Sequence, residues 1–270
     1  ADNPALAAAT ESGQPVVAVF VLNPDRRWAL GGASRVWLHE SLQRLSESLL
    51  NLGITMRCRT GQPATVLSDL VTELNVSEIH WNRDYDPDGI SESTMVKNEL
   101  PESVSTTSHA GSLLIEPFKF LNKSGQPYKV FTPFWNALRS SLDYLKPPTM
   151  DPTWRQSPQT AAVESVEQLN LLSGRAWERE MVASWKIGEV AATAAFEQFV
   201  DLDVIDYEKQ RDFPALSNTS ELSPHLHFGE LSVQRIWSEL TQRLNTVDFT
   251  GQEAQIWTWL RQLVWREFSQ

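Results

Sequence analysis

Val16-Val17-Ala18-Val19-Phe20-Val21-Leu22 (VVAVFVL) is an uninterrupted apolar run dominated by β-branched side chains. A strand with one wet face alternates apolar and polar residues, whereas a continuous run fits a strand covered on both faces of a parallel sheet. Downstream the period changes. Ser34–Leu52 places apolar residues at Val36, Leu38, Leu42, Leu45, Leu49 and Leu50, which is helical spacing, and Gly53 closes it. Ile54–Arg59 reads as the next strand and Pro63–Leu74 as the next helix, with proline in its first turn. Val76–Trp81 is a third strand, Met95–Leu100 sits in a more polar helix, and Val104–Leu114 is extended again. This alternation predicts a doubly wound, Rossmann-like parallel α/β sheet. Upstream, Ala1-Asp2-Asn3-Pro4-Ala5-Leu6 opens a helix with no strand before it, so the sheet is expected to lack its first strand.

The β signal fades toward the middle of the chain. Pro147, Pro148, Pro152 and Pro158 mark a loop. Beyond it Val166–Leu172, Glu189–Val200, Ser232–Leu244 and Glu253–Phe268 all carry helical periodicity. The expected plan is an α/β domain over 1–145, a linker over 146–174 and an all-helical part over 175–270.

Composition narrows the function classes. The 270 residues carry a net charge of −11, so any nucleic-acid contact must come from a local basic patch. Cys58 is the only cysteine, which excludes an internal disulfide and a cysteine-based metal site, and no other metal site is read. No run is long and apolar enough to span a membrane, and no charged segment followed by an apolar one marks a secretory leader. The default compartment is the cytoplasm. Seven of the 11 tryptophans lie after residue 150.

Two constellations in the helical part carry chemistry. Thr219, Ser220 and Ser223 place three hydroxyls just before Pro224 and an apolar helix. Such residues are ordinary helix caps, and the same N–H groups also suit a phosphate. In the last segment Trp259, Gln262, Leu263 and Arg266 fall at i, i+3, i+4 and i+7 and share a face. Tryptophan, amide and guanidinium together suit a flat aromatic ligand with polar edges rather than a plain aliphatic core. Trp257 reads as core.

Three segments resemble the photolyase/cryptochrome family. Ser217–Ser232 (SNTSELSPHLHFGELS) is similar to its flavin-binding signature T-S-x-L-S-P-x-L-x-F-G-E-x-S, matching from Thr219 onward. Trp265-Arg266-Glu267-Phe268 is its W-R-E-F box, and Lys129–Trp135 (KVFTPFW) resembles the run that closes its N-terminal domain. The resemblance implies an α/β antenna domain followed by the start of a helical FAD-binding domain. It implies cofactor contacts from Tyr207, Thr219, Ser220, Glu221, Leu222, Ser223 and Trp259. It implies DNA contacts from Arg211, Gln262, Trp265 and Arg266, with Gln262 and Trp265 also in the catalytic role. The implied reaction is light-driven splitting of cyclobutane pyrimidine dimers in UV-damaged DNA, by electron transfer from reduced FAD to an extruded dimer.

Gln262 departs from the glutamate common in cyclobutane-dimer enzymes, which keeps a (6-4) photolyase and a cryptochrome-like photoreceptor as alternatives. Asp88-Gly89 stands where folate-binding members carry Asn-Glu, so the antenna is open between a folate, a deazaflavin and none. The family's helical domain continues past its W-R-E-F box. The 270 residues are therefore expected to be a fragment, monomeric and inactive alone.

Overall fold

Residues 2–141, 150–151, 154–156, 164–213, 215–216, 219–244, 251 and 253–270 are described in the computed structural model of the chain. They divide into two compact units: residues 1–109 with 148–189, and residues 110–147 with 190–270.

In the first unit, helix α1 (Pro4–Glu11) precedes strand β1 (Val17–Leu22), and helix α2 (Gly32–Asn51) leads into β2 (Thr55–Thr60). Helix α3 (Pro63–Leu74), β3 (Glu78–Asn82), α4 (Pro87–Glu99) and β4 (Ser105–His109) follow. The expected alternation is present, and every pairing is parallel: β1 with β2 from Val17↔Thr55 to Leu22↔Thr60, β3 with β4 from Glu78↔Ser105 to Asn82↔His109. The sheet is not continuous, however. It comes as two separate two-stranded pairs, so β1 and β3 each keep one edge without a strand among the described residues. For that reason β1 is only half-buried, with Val19 36% exposed, although its sequence is that of a fully covered strand. Helix α1 reaches both pairs: its Ala5 N–H donates to Asn82 at the end of β3, while Leu6 packs against the core cluster that includes Met56 and Cys58 of β2.

The Val104–Leu114 segment is strand only over its first part, and Val166–Leu172 is a single 3-10 turn (Val166–Leu169) rather than a helix. That turn ends at Asn170 in the left-handed region (φ 49°). Val166, Leu169 and Leu171 pack with Leu42, Leu49, Ile54, Met56 and Cys58 in the core of the first unit. Arg57 and Arg59 of β2 bond Glu73 of α3, and Arg59 also bonds Glu164 (2.7 and 2.8 Å). The buried guanidinium of Arg57 is thus paired rather than stranded. Gly53 turns the chain into β2 with φ +79°, where a Cβ would sit 1.8 Å from the carbonyl oxygen of Gln156. The Gln156 amide in turn accepts from Val16 N–H (2.8 Å) and donates to the Val16 and Gly53 carbonyls (2.7 and 3.2 Å).

The second unit is built from α5 (Phe131–Ser141), α7 (Glu189–Gln198), α8 (Tyr207–Gln210), α9 (Ser223–His227), α10 (Val233–Arg243) and α11 (Glu253–Phe268); α6 (Ala176–Ser184) belongs to the first. No strand occurs among its described residues. The packing therefore follows different boundaries from the sequential plan of 1–145, 146–174 and 175–270. Helix α5 explains part of the difference: Phe131, Phe134, Trp135 and Leu138 form one buried face, and it joins the aromatic core made with Phe196, Phe199, Trp237 and Leu260. The proline loop at 147, 148, 152 and 158 and Ser217 lie outside the described residues.

Candidate functional site

The cofactor residues read from the sequence fall into two sets. Tyr207 and Trp259 are buried and meet through Phe199. Tyr207 stands edge-on to Phe199 (5.8 Å, 89°), and Trp259 is tilted on Phe199 (5.2 Å, 41°) and on Phe196 (6.4 Å, 33°). Burial is the main cause pushing the Tyr207 phenol above its ordinary pKa, against Arg211, so Tyr207 is a neutral hydroxyl. Leu222 is buried in the same cluster. Thr219, Glu221 and Ser223 are exposed and Ser220 half-buried.

The hydroxyls do not act as caps. Helix α9 begins at Ser223 with Leu222 at the N-cap and no side-chain cap bond. Glu221 lies in the left-handed region (φ 50°), uncommon for a residue with a side chain. A polar, strained loop with uncommitted capping groups is thus anchored by Leu222 to an aromatic wall. Such a loop can hold an anionic, aromatic ligand through hydroxyl donors at one end and ring contacts at the other. On this ground the residues present fit a flavin dinucleotide.

The motif also contains two residues that the sequence reading used only as pattern. His225 and Glu230 are both buried, with Nδ1 2.5 Å from Oε2, and the Glu230 N–H donates to the His225 carbonyl at 2.9 Å. Together they close the turn through Gly229 (φ +71°) between α9 and α10. A histidine and a glutamate five apart around F-G is the signal that could have found them.

On α11 the four expected face residues separate. Trp259 and Leu263 are buried, whereas Gln262 and Arg266 are half-buried at its border. Trp265 is 45% exposed and lies flat on Phe131, ring centroids 3.6 Å apart and planes 7° from parallel. Arg261 lies over the Phe131 ring (5.5 Å), and Arg266 donates to the Ser112 carbonyl (3.2 Å). Arg211 lies over Tyr207 (5.8 Å) and pairs with Asp212 (3.4 Å).

Sequence reasoning passed over Glu267. Its carboxylate is buried and accepts the Leu114 N–H at 2.8 Å, with Ile115 N–H at 3.5 Å. Burial, opposed by those N–H groups and by Arg266, raises its pKa to about 7. Its Oε1 finds no hydrogen-bond donor among the described residues, and Arg266 Nη1 stays 3.9 Å away. Glu267 therefore ties the Leu114–Ile115 backbone to the helix that carries Trp265.

Among the described residues no helix is long and apolar enough to cross a membrane, and no three metal-ligating side chains converge.

Parallel strand pairs followed by aromatic-cored helices, with a hydroxyl loop and a supported surface tryptophan, are the features of a two-part α/β and helical flavoprotein class. Residues 1–153 match the sequence model of the family described as DNA photolyase, and the chain belongs to that family. It is 35% identical to a deoxyribodipyrimidine photo-lyase of Agrobacterium fabrum, over 99% of this chain and 55% of that protein. It is 33% identical to Cryptochrome-2 of Arabidopsis thaliana, over 87% of this chain and 40% of that protein. Among solved structures, a bacterial class III photolyase from Agrobacterium tumefaciens matches with TM-score 0.85 and 34% identity, covering 99% of this chain and 55% of the other. A Synechocystis cryptochrome matches with TM-score 0.78 at 20% identity, which speaks to the fold alone. The chain spans about half the length of these photolyases.

Proposed function

We propose that this chain serves light-driven repair of UV-damaged DNA, with FAD held by the hydroxyl loop and the aromatic wall. The observation that carries the reading is Trp265: a half-exposed indole on an acidic chain, held flat by Phe131 with Arg261 beside it and Arg266 next in sequence. A rigid aromatic face bordered by cations offers a base lifted from the stack a surface to lie on. Gln262, one helical turn before Arg266, can both donate to and accept from the edge of that base.

Each group has a distinct task in this reading. Thr219, Ser220 and Ser223 donate to the diphosphate, while Tyr207, Leu222 and Trp259 line the apolar side and exclude water. Arg211 and Arg266 contact phosphates, and Trp265 stacks on the lesion. Reduced FAD, when bound, supplies the photoexcited electron. Stacking on Trp265 would fix the orientation of the lesion, and Gln262 would hydrogen-bond a pyrimidine carbonyl where negative charge develops.

The test is blue-light irradiation of the protein at its natural length with two oligonucleotides, one containing a cyclobutane thymine dimer and one a (6-4) product. Light-dependent loss of the cyclobutane dimer is the expected result. Repair of the (6-4) product alone would reassign the lesion, and a bound flavin that repairs neither would sink the repair reading. Gln262 favours one second reading, a cryptochrome-like photoreceptor, and the similarity to a plant cryptochrome supports it.

A further inference from the structure

Side chains of α10 and α11 grip the backbone of residues 112–115. Arg266 Nη2 donates to the Ser112 carbonyl (3.2 Å), Gln234 to the Leu113 carbonyl (3.0 Å), and Glu267 Oε2 accepts from Leu114 N–H (2.8 Å). Two neighbours each keep one buried atom outside that network. Oε1 of Glu267 and Nη1 of Arg266 have no hydrogen-bond partner among the described residues and stand 3.9 Å apart. Charge attracts them, but no hydrogen bond joins them. The Glu267 side chain is 1% exposed and that of Arg266 33%. The carboxylate is therefore fixed inside, whereas the guanidinium sits at the border, next in sequence to the exposed indole of Trp265. One cation has two directions open to it: inward to Glu267, or outward to an anion.

We propose that Glu267 is a positioning residue whose proton decides whether Arg266 is held inward or turns out to a DNA phosphate, so that lesion binding takes up a proton. This rests on the repair reading above. An ionised Glu267 and a phosphate are rivals for the same guanidinium. A protonated Glu267 still accepts from Leu114 N–H through Oε2, so the backbone grip stays while the pull on Arg266 goes. The proton is within reach of ordinary conditions: burial raises the pKa to about 7, against the Leu114 N–H, Arg266 and the Ile115 N–H. Helices α5, α8 and α10 pack on α11. They bring Arg139, which lies over Trp257, Glu208 and Lys209, and the pairs Arg235–Glu239 and Arg243–Asp201. The chain after Ile115 brings Glu116, paired with Lys119, and α11 itself brings Arg261, which lies over Phe131. Among the described residues Arg266 is the charged group that shifts Glu267. A phosphate that draws Arg266 away removes this stabilisation of the carboxylate and raises its pKa further. By linkage, protonation strengthens DNA binding by the same factor. Affinity is then full in mild acid and falls as pH rises through the folded pKa of Glu267.

The test is a fluorescence-anisotropy titration of a dimer-containing oligonucleotide with the protein at its natural length, from pH 6 to 8.5 at constant ionic strength. The dissociation constant should rise about three- to tenfold across that range. Glu267→Gln, which keeps an acceptor for Leu114 and cannot ionise, should flatten the rise. Arg266→Gln should flatten it as well, because the rivalry is gone. A loss of packing alone would weaken binding equally at every pH. An undiminished rise in Glu267→Gln overturns the coupling and leaves the repair reading standing, whereas no preference for the dimer at any pH takes down both. If Glu267→Gln does not fold by circular dichroism, calorimetry of the unaltered protein at pH 7.2 in two buffers of different ionisation enthalpy decides. Net proton uptake on binding supports the coupling; zero uptake, or release, refutes it.

Discussion

At the scale of single residues, Trp265 and Glu267 are the two to change. Removing the indole leaves Phe131 without its stacked partner and the lesion without a platform. On the repair reading, Trp265→Ala should weaken binding of dimer-containing DNA by about 1–3 kcal/mol, roughly 5- to 150-fold, with little effect on undamaged duplex. Equal losses for both DNAs in a gel-shift titration would show that Trp265 does not read the lesion. Glu267 makes a statement about pH. Its folded pKa is raised to about 7 from an ordinary 4.5, so the folded state prefers the protonated acid. The contribution is fully present below the unfolded value and is lost as pH rises through the folded one. Between pH 5 and 7.5 it lowers stability by an amount on the order of 3 kcal/mol at most. Glu267→Gln should flatten the fall in thermal midpoint over that window relative to the unaltered chain. Parallel profiles would mean that Glu267 does not titrate there.

At the scale of elements, the Gly53 turn offers a controlled comparison. Gly13 and Gly53 both have positive φ (69° and 79°), yet a Cβ at Gly13 meets nothing within 4 Å whereas one at Gly53 meets the Gln156 backbone. Gly13→Ala should cost about 1 kcal/mol from conformation alone, and Gly53→Ala clearly more, read as urea midpoints. Equal costs would show that the Gln156 contact yields freely. Strands and helices were legible where the period was clear: Pro63–Leu74 is helical over its whole expected range, and β2 is displaced by one residue from expectation. Val166–Leu172 was misread because its apolar residues answer to the core of the first unit rather than to a helical stripe. The interleaving of the two units was invisible, because only tertiary packing tells that α5 belongs with the later helices. Of the site, Tyr207, Leu222 and Trp259 do share one core, as their apolar types allow. Phe131 and Glu267 escaped notice because their roles come from partners more than 100 residues away.

At the scale of the whole molecule, charge and edges set behaviour. On a chain of net charge −11, Arg211 over Tyr207, Arg261 over Phe131 and Arg266 next to Trp265 are the cations that the repair reading brings to DNA. If each meets one phosphate, log K should fall with log salt at a slope of about −3. A slope beyond about −6 would require a wider basic footprint than this surface offers.

The two strand pairs carry a different consequence. One edge of β1 has no strand partner among the described residues, and its sequence VAVFVL contains no charge, no proline and no glycine. Short β-branched segments of that composition stack into fibrils when their amides are left unpaired. Storage at high concentration should therefore turn solutions of this chain turbid and thioflavin-positive. A lysine at Val19, whose side chain already reaches water, would act as a gatekeeper and keep them clear.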